Sequence, residues 1–241
     1  MLRDDQELEL LSTAFEPGIR SADRESYSID NVVQAFFSDK DVRGSTVMEL
    51  GPGHYELLEQ LALLGASGEA VEYDPAVAKL GEKRGFVVYQ QDLTQLDVAK
   101  LNGPYDGVFC RGAIDAFWFY DSPTSMSDYI EKLVSLGKPD AWFWIAPCAD
   151  RPAECSDEEF AQVLNAQDDL YRKHGFTIFS PTSRFVRSWF GIQGSSTAQR
   201  IFYKNLSSPR LSIRDVGRLF KFAAWHGSRA WKRSGITRSS R

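Results

Sequence analysis

The residues best suited to binding a ligand form a glycine turn after an apolar strand, in Val47-Met48-Glu49-Leu50-Gly51-Pro52-Gly53-His54-Tyr55. Glycine has no Cβ, so Gly51 and Gly53 let a ligand approach the backbone where the strand runs into a helix. A dinucleotide site would want a third glycine or an alanine at Glu56, and Pro52 removes an N–H that a phosphate cradle would use. The turn therefore predicts ligand contact at the carboxyl edge of a sheet and disfavours pyrophosphate; the alternative is a tight turn that binds nothing.

Two carboxylates follow at the ends of the next two predicted strands. Glu72 stands twenty-one residues after Gly51, within Val71-Glu72-Tyr73-Asp74-Pro75, and Asp92 lies within Gln90-Gln91-Asp92-Leu93. A carboxylate at Glu72 can accept hydrogen bonds from both ribose hydroxyls of an adenosine that lies over the first strand. The alternative for both residues is an acid that caps a helix or is solvated.

In this order the motifs resemble those of the class I S-adenosylmethionine (SAM)-dependent methyltransferases. The resemblance covers about Asp41 to Asn205, with Tyr105–Gly112 as the fourth-strand motif and Gln199–Asn205 as the last, antiparallel strand. It implies SAM as the cofactor, S-adenosylhomocysteine (SAH) as the product, and a cofactor lying across the carboxyl ends of strands one to four. The residues that it places around the cofactor are Glu49, Gly51, Gly53, Glu72, Tyr73, Asp92, Leu93 and Arg111.

Two positions of the glycine motif need separate interpretation. Glu49 either faces the amino end of the cofactor or only satisfies backbone groups near the turn. Tyr55 stands where the family usually has a third glycine, so we expect the helix to approach the cofactor differently.

Methyl transfer from a sulfonium is an in-line displacement, so the protein must align the acceptor, exclude water and, for a hydroxyl acceptor, remove a proton. We expect no essential nucleophile and no metal. The candidate catalytic bases are His54, Asp115 and Asp121, with surface exposure as the alternative for His54.

Acceptor binding is predicted for Arg111 and Trp118, which follow the fourth strand, and for Arg184 and Arg187 in the loop between Pro181 and Thr197. Aromatic side chains after that strand can shield the reaction from water and face a sulfonium through cation–π attraction. The arginines suit an anionic or sugar-like acceptor. The alternative is that the arginines are ordinary surface residues and that the aromatic residues cover the core.

The elements that must position these residues alternate between short apolar strands and helical patterns. This alternation predicts an α/β fold with a mostly parallel sheet and helices on both faces. The resemblance implies that the sheet is Rossmann-like and seven-stranded, with an antiparallel last strand. The predicted strands are Thr46–Leu50, Glu69–Tyr73, Phe86–Gln90, Tyr105–Cys110, Ala141–Ala146, Phe176–Phe179 and Gln199–Asn205. The predicted organisation is an N-terminal helical cap over 1–40, a catalytic domain over 41–206 and a basic amphipathic helix over 207–241.

Charge is distributed unevenly along the 241 residues. The segment from Pro209 to Arg241 has nine Lys or Arg and one acidic residue, so its net charge is +8. Because the whole chain has a net charge of −5, the rest of the chain carries −13. An acidic body disfavours nucleic acid as a partner. The basic tail either lies on an anionic membrane surface or packs its apolar face on the domain.

These observations predict a SAM-dependent methyltransferase that O-methylates a small polar metabolite or a glycan hydroxyl. The alternatives are a catalytically silent binding module, a methyltransferase of nucleic acid and a nicotinamide-dependent oxidoreductase. Three cysteines without a disulfide or metal pattern, and an acidic N-terminus without an apolar signal segment, predict a cytoplasmic location, with peripheral contact at the inner face of a membrane as a further expectation.

Overall fold

A computed structural model describes residues 42–115, 117–118, 123–148, 155–179 and 201–205. The helices predicted within 1–40 and 207–241 lie outside the described residues. The elements, in chain order, are β1 (Thr46–Leu50), α1 (Glu56–Leu63), β2 (Ser67–Glu72), α2 (Pro75–Lys83), β3 (Val87–Gln90), β4 (Tyr105–Asp115), α3 (Pro123–Ser135), β5 (Gly137–Cys148), α4 (Asp157–Lys173), β6 (Thr177–Phe179) and β7 (Ile201–Asn205).

The strands form one seven-stranded sheet in the order β3-β2-β1-β4-β5-β7-β6. Strands β1 to β5 pair in parallel, and β7 runs antiparallel to both of its neighbours. The chain builds outward from β1 to β3 and then returns to β4 on the other side of β1. Because ligands of open α/β sheets bind where the strand order reverses, the topology directs attention to the carboxyl ends of β1 and β4.

The helices cover both faces of the sheet because the central strands are apolar on both sides. In β1, Val47 belongs to the core cluster that contains Leu57 and Leu61 of α1, whereas Met48 belongs to the cluster that contains Ile130 of α3. A strand buried on both faces needs the continuous apolar run that the sequence shows at this point. The predicted Rossmann-like fold class is confirmed.

Local signals set the helix ends that border the sheet edge. Asp74 caps α2 by accepting hydrogen bonds from the N–H groups of Ala76 and Val77 at 2.8 and 3.1 Å, with Pro75 in the first turn. Ser156 and Glu159 form a reciprocal capping box at the start of α4.

None of the helices in the described part of the chain is both long and apolar enough to cross a membrane.

Strand β4 is longer than the sequence predicted. β4 continues past Cys110 to Asp115, with Arg111 paired to Ala146 and Asp115 to Cys148, and its register shifts between those two pairs. Gly112 lies in the shifted segment with a φ of 74°. Gly112 and Arg111 interrupt the apolar run, so the sequence pattern predicts the end of the strand at Cys110.

Candidate active site

A cleft of about 700 Å³ opens at the carboxyl ends of β1, β2 and β4. The eight residues predicted to surround a cofactor all line it: Glu49, Gly51, Gly53, Glu72, Tyr73, Asp92, Leu93 and Arg111. They come from four separate stretches of chain, three of which end a strand or follow one, while Arg111 lies within the second half of β4. The fold thus brings together the residues that the sequence motifs singled out.

The glycine turn adopts the left-handed conformation for which glycine is suited. Gly51 and Gly53 have φ values of 66° and 57°, and the N–H of Gly51 donates to the carbonyl oxygen of Val71 at 2.9 Å. A Cβ built on Gly51 would lie 2.1 Å from the Cβ of Ala113. Gly51 is therefore required both by its backbone conformation and by the close approach of β4.

Tyr55 takes the place of a third glycine without filling the cleft. Its φ of 57° is left-handed, so the backbone keeps a conformation typical of glycine. Its side chain is fully buried and stacks on Phe86, with ring centroids 5.7 Å apart. The helix therefore starts with a glycine-like backbone, and the larger side chain is accommodated in the core.

Glu72 is held in place by the turn that follows β2. Its Oε1 accepts hydrogen bonds from the N–H groups of Tyr73 at 2.9 Å and Asp74 at 3.0 Å. Burial raises the pKa of the Glu72 carboxyl, while the backbone N–H groups of Asp74, Tyr73 and Gly53 oppose that rise. The side chain is fixed in orientation at the cleft wall, as a ribose-binding carboxylate must be.

Glu49 is a buried acid of the cleft whose pKa is strongly raised. Its side chain is only 5% exposed, and its Oε2 has no hydrogen-bond partner among the described residues. Burial raises the pKa of Glu49 to about 8, an effect that Arg111 opposes and the negative charges of Glu56 and Glu72 strengthen. A buried acceptor oxygen that faces a cleft fits a cationic ligand group.

Asp92 caps a short turn and also lies at the cleft. Its Oδ1 accepts hydrogen bonds from the N–H and the hydroxyl of Thr94, both at 2.8 Å, and so caps the short 3₁₀ turn Leu93–Gln95. The same residue lines the cleft beside the buried Leu93. Capping therefore does not remove Asp92 from the candidate ligand contacts.

The acceptor and base candidates separate into three groups. His54 and Trp118 line the cleft, and Trp118 is 40% exposed at its edge. Asp115 is not among the described residues lining the cleft; its Oδ1 accepts a hydrogen bond from the N–H of Phe117 at 2.8 Å. Asp121, Arg184 and Arg187 lie outside the described residues.

Phe117 packs away from the cleft, since its ring stacks on Phe160 of α4 with centroids 5.7 Å apart. For this residue the core-covering alternative is correct.

Burial raises the pKa of the Cys110 thiol to about 12, as expected of an unreactive buried cysteine. Within the described part of the chain no three His, Cys, Asp or Glu side chains are grouped to hold a metal ion.

Sequence reasoning did not single out Glu56, although it lines the cleft from the first turn of α1. Its place directly after the glycine turn was the available signal. With Glu56 included, five acidic side chains line the cleft and one arginine opposes them: Glu49, Glu56, Glu72, Asp74, Asp92 and Arg111. Although the raised pKa of Glu49 leaves that side chain protonated near neutral pH in the ligand-free protein, the other acidic side chains still outnumber the arginine, and this balance favours a ligand with positive charge.

Comparison with solved structures shows which known proteins share this fold. No family model matches the chain, and no curated protein sequence matches it. Magnesium protoporphyrin IX methyltransferase from Synechocystis PCC 6803 with bound SAH is similar in structure, with a TM-score of 0.51 and 15% identity over 83% of this chain and 92% of that one. The SAH-bound O-methyltransferase from the trans-AT PKS multienzyme of Brevibacillus brevis gives a TM-score of 0.51 and 14% identity over 92% and 84% of the two chains.

A third similar structure is the CurJ carbon methyltransferase, with a TM-score of 0.50 and 10% identity over 83% of this chain and 61% of that one. The fold of this chain is that of the class I SAM-dependent methyltransferases, as the sequence resemblance implied.

Proposed function

We propose that this chain is a SAM-dependent methyltransferase whose acceptor is a small polar metabolite or a glycan hydroxyl. The observation that carries the proposal is the placement of two buried carboxylates, Glu49 and Glu72, on either side of a left-handed glycine turn in one cleft. The cleft lies at the point where the strand order reverses, which is where open α/β sheets bind their ligands.

The residues present fit this cofactor. The unpartnered Oε2 of Glu49 suits the ammonium group of a methionyl end, and Glu72, fixed through Oε1, suits a pair of ribose hydroxyls. Asp92 and Leu93 offer a polar and an apolar group for an adenine ring. The acidic balance of the cleft also agrees with a ligand whose net charge is positive.

Bound SAM supplies a methyl group on a sulfonium, which makes the methyl carbon electrophilic. The chain's own residues then have three tasks: to orient the acceptor, to exclude water and to accept a proton from an acceptor hydroxyl. In our proposal a ring nitrogen of His54 accepts that proton, because His54 lines the cleft and Asp115, the other predicted base among the described residues, does not. Trp118 shields the opening, and Arg111 orients a polar acceptor.

The small-molecule acceptor is supported by two considerations. Magnesium protoporphyrin IX methyltransferase, which is similar in structure, is named for a small-molecule substrate. The acidic lining of the cleft would also repel the phosphates of a nucleic acid.

Calorimetric titration tests the cofactor assignment. We expect SAM and SAH to bind the wild-type chain with one site and NAD not to bind. Glu72→Gln keeps the shape of the side chain and removes its charge, so it should weaken SAH binding. Binding of NAD without SAM or SAH would overturn the proposal in favour of an oxidoreductase, and absence of binding by all three would overturn any nucleoside-cofactor function.

The hydroxyl acceptor is tested separately, by incubating the chain and labelled SAM with pools of small alcohols, amines and carboxylic acids. Transfer of label to hydroxyl compounds is the expected result. Label that appears only on amines would correct the acceptor class and leave the methyltransferase assignment in place.

A further inference from the structure

We infer that helix α2 holds the glycine turn in its ligand-binding conformation through two contacts, Tyr55 packed on Gly81 and Arg84 bound to His54 and Glu59. We call these two contacts the α2 clamp. Tyr55 and Arg84 are then positioning residues for the cofactor. The inference rests on the proposed function, since the turn is taken to contact SAM.

The first contact is a close fit between an aromatic ring and a glycine. A Cβ built on Gly81 would lie 2.3 Å from Cζ of Tyr55 and 2.5 Å from its hydroxyl oxygen. The ring therefore occupies the space that a side chain at position 81 would need. Because Phe86, just beyond the end of α2, stacks on the same ring, Tyr55 is enclosed by the helix and the chain that follows it.

The second contact is polar and joins α2 to both sides of Tyr55 in sequence. Arg84, the C-terminal cap of α2, donates a hydrogen bond through Nη1 to the carbonyl oxygen of His54. The same Nη1 lies 3.0 Å from Oε1 of Glu59 on α1. The Arg84 side chain is only 13% exposed, so solvent competes weakly for its hydrogen bond to His54, whereas the Glu59 side chain is 45% exposed and its ion pair is the weaker part of the contact.

The turn needs such support because its last residue is not glycine. Tyr55 at a φ of 57° occupies a backbone region that residues with a Cβ populate only when their surroundings hold them there. The other hydrogen bonds of this residue are local, from its N–H to the carbonyl oxygen of Pro52 and from Glu59 N–H to its own carbonyl oxygen. The contacts with Gly81 of α2 and with Phe86 reach beyond the turn and α1.

The clamp also joins the two walls of the cleft. The start of α2 is capped by Asp74, whose N–H donates to Glu72, and the end of α2 carries Arg84. One helix thus fixes the ribose-side carboxylate at its beginning and the glycine turn at its end. A change at Gly81 or Arg84 should therefore alter ligand affinity although neither residue lines the described cleft.

The test compares Gly81→Ala and Arg84→Met with Lys138→Met in the full chain. Lys138 provides a matched control, because it forms an ion pair with Asp106 at 2.8 Å and neither residue lines the described cleft. For each variant the dissociation constant of SAH and the midpoint of thermal unfolding without ligand are measured. Hydrogen exchange over residues 51–56 gives a readout that needs no ligand.

We expect Gly81→Ala and Arg84→Met to weaken SAH binding at least about tenfold, since small displacements of a binding group are costly. Both should also speed hydrogen exchange in the turn, whereas Lys138→Met should change neither quantity. Arg84→Lys should restore part of the affinity because it keeps a cation at this position. In a Tyr55→Gly background the effect of Gly81→Ala should disappear, because the ring that it displaces is absent.

Normal SAH affinity and normal exchange in both Gly81→Ala and Arg84→Met would overturn the clamp. If Gly81→Ala does not fold, Arg84→Met decides alone. Failure of the wild-type chain to bind SAH would instead refute the proposed function, and in that case unchanged exchange in Arg84→Met would refute the clamp as well.

Discussion

Gly51 of the glycine turn lies against Ala113 of β4 so closely that a Cβ on Gly51 would stand 2.1 Å from the Cβ of Ala113. The contact is possible because β4 continues past Cys110 and brings Ala113 beside the end of β1. The glycine at this position therefore serves the packing of two strands as well as ligand access.

This contact predicts that Gly51→Ala destabilises the fold more than a positive φ alone requires. Gly44 has a similar φ of 73° with nothing within 4 Å of a built Cβ, so Gly44→Ala isolates the backbone cost. We expect about 1 kcal/mol for Gly44→Ala and about 2–4 kcal/mol for Gly51→Ala, since the latter adds steric overlap. Chemical denaturation of both variants measures the difference, and equal losses would show that Ala113 yields without cost.

The sequence identified the residues that line the cleft because their signals are local. A glycine turn after an apolar run, and an acid at the end of the next strand, can be recognised within a few residues of Gly51 and Glu72. Two contacts join residues that are far apart in the chain, Gly51 with Ala113 and Tyr55 with Gly81. No local sequence pattern predicts them. The ring of Phe117 packs on α4, whereas Trp118 is partly exposed. The sequence around these two residues does not predict this difference.

Glu72 provides the most specific prediction about affinity. Glu72→Ala removes a buried acceptor for ribose hydroxyls and should weaken SAM binding by about 1.5–3 kcal/mol per charge-assisted bond lost. It also removes the acceptor for the N–H groups of Tyr73 and Asp74, so some loss of stability accompanies it. Glu72→Gln preserves an acceptor oxygen for the turn, so it should weaken binding with a smaller loss of stability than Glu72→Ala. Unchanged SAM affinity in both variants would remove Glu72 from the site.

Glu49 predicts an unusual pH dependence of stability, because burial raises its pKa from 4.5 to about 8. Below pH 4.5 the native and unfolded chains both hold the proton, and there is no penalty. As pH rises from 4.5 to about 8 the unfolded chain releases a proton that the native chain retains, so this residue lowers stability progressively.

Glu49→Gln should therefore stabilise the ligand-free protein by an amount that grows between pH 5 and 8, reaching on the order of 2–4 kcal/mol. Denaturant unfolding of wild type and variant across this range measures the trend. A constant difference between the two proteins would mean that the Glu49 carboxyl titrates near its ordinary value.

His54 is predicted to act on the acceptor rather than on the cofactor. Once an acceptor is known, His54→Ala should lower turnover by roughly 10²–10⁴ and leave SAH affinity within a few fold of wild type. Asp115→Asn is the matched comparison, since Asp115 is a predicted base that the structure places outside the described cleft lining. Loss of turnover in Asp115→Asn but not in His54→Ala would reverse the assignment.

A crystal structure of the chain grown with SAH tests the central claim most directly. We predict density for SAH in the cleft at the carboxyl ends of β1, β2 and β4, with the ribose hydroxyls on Glu72 and the ammonium group on Glu49. A cleft that stays empty at saturating SAH, or SAH bound elsewhere on the chain, would contradict the assignment of this fold to SAM-dependent methyl transfer.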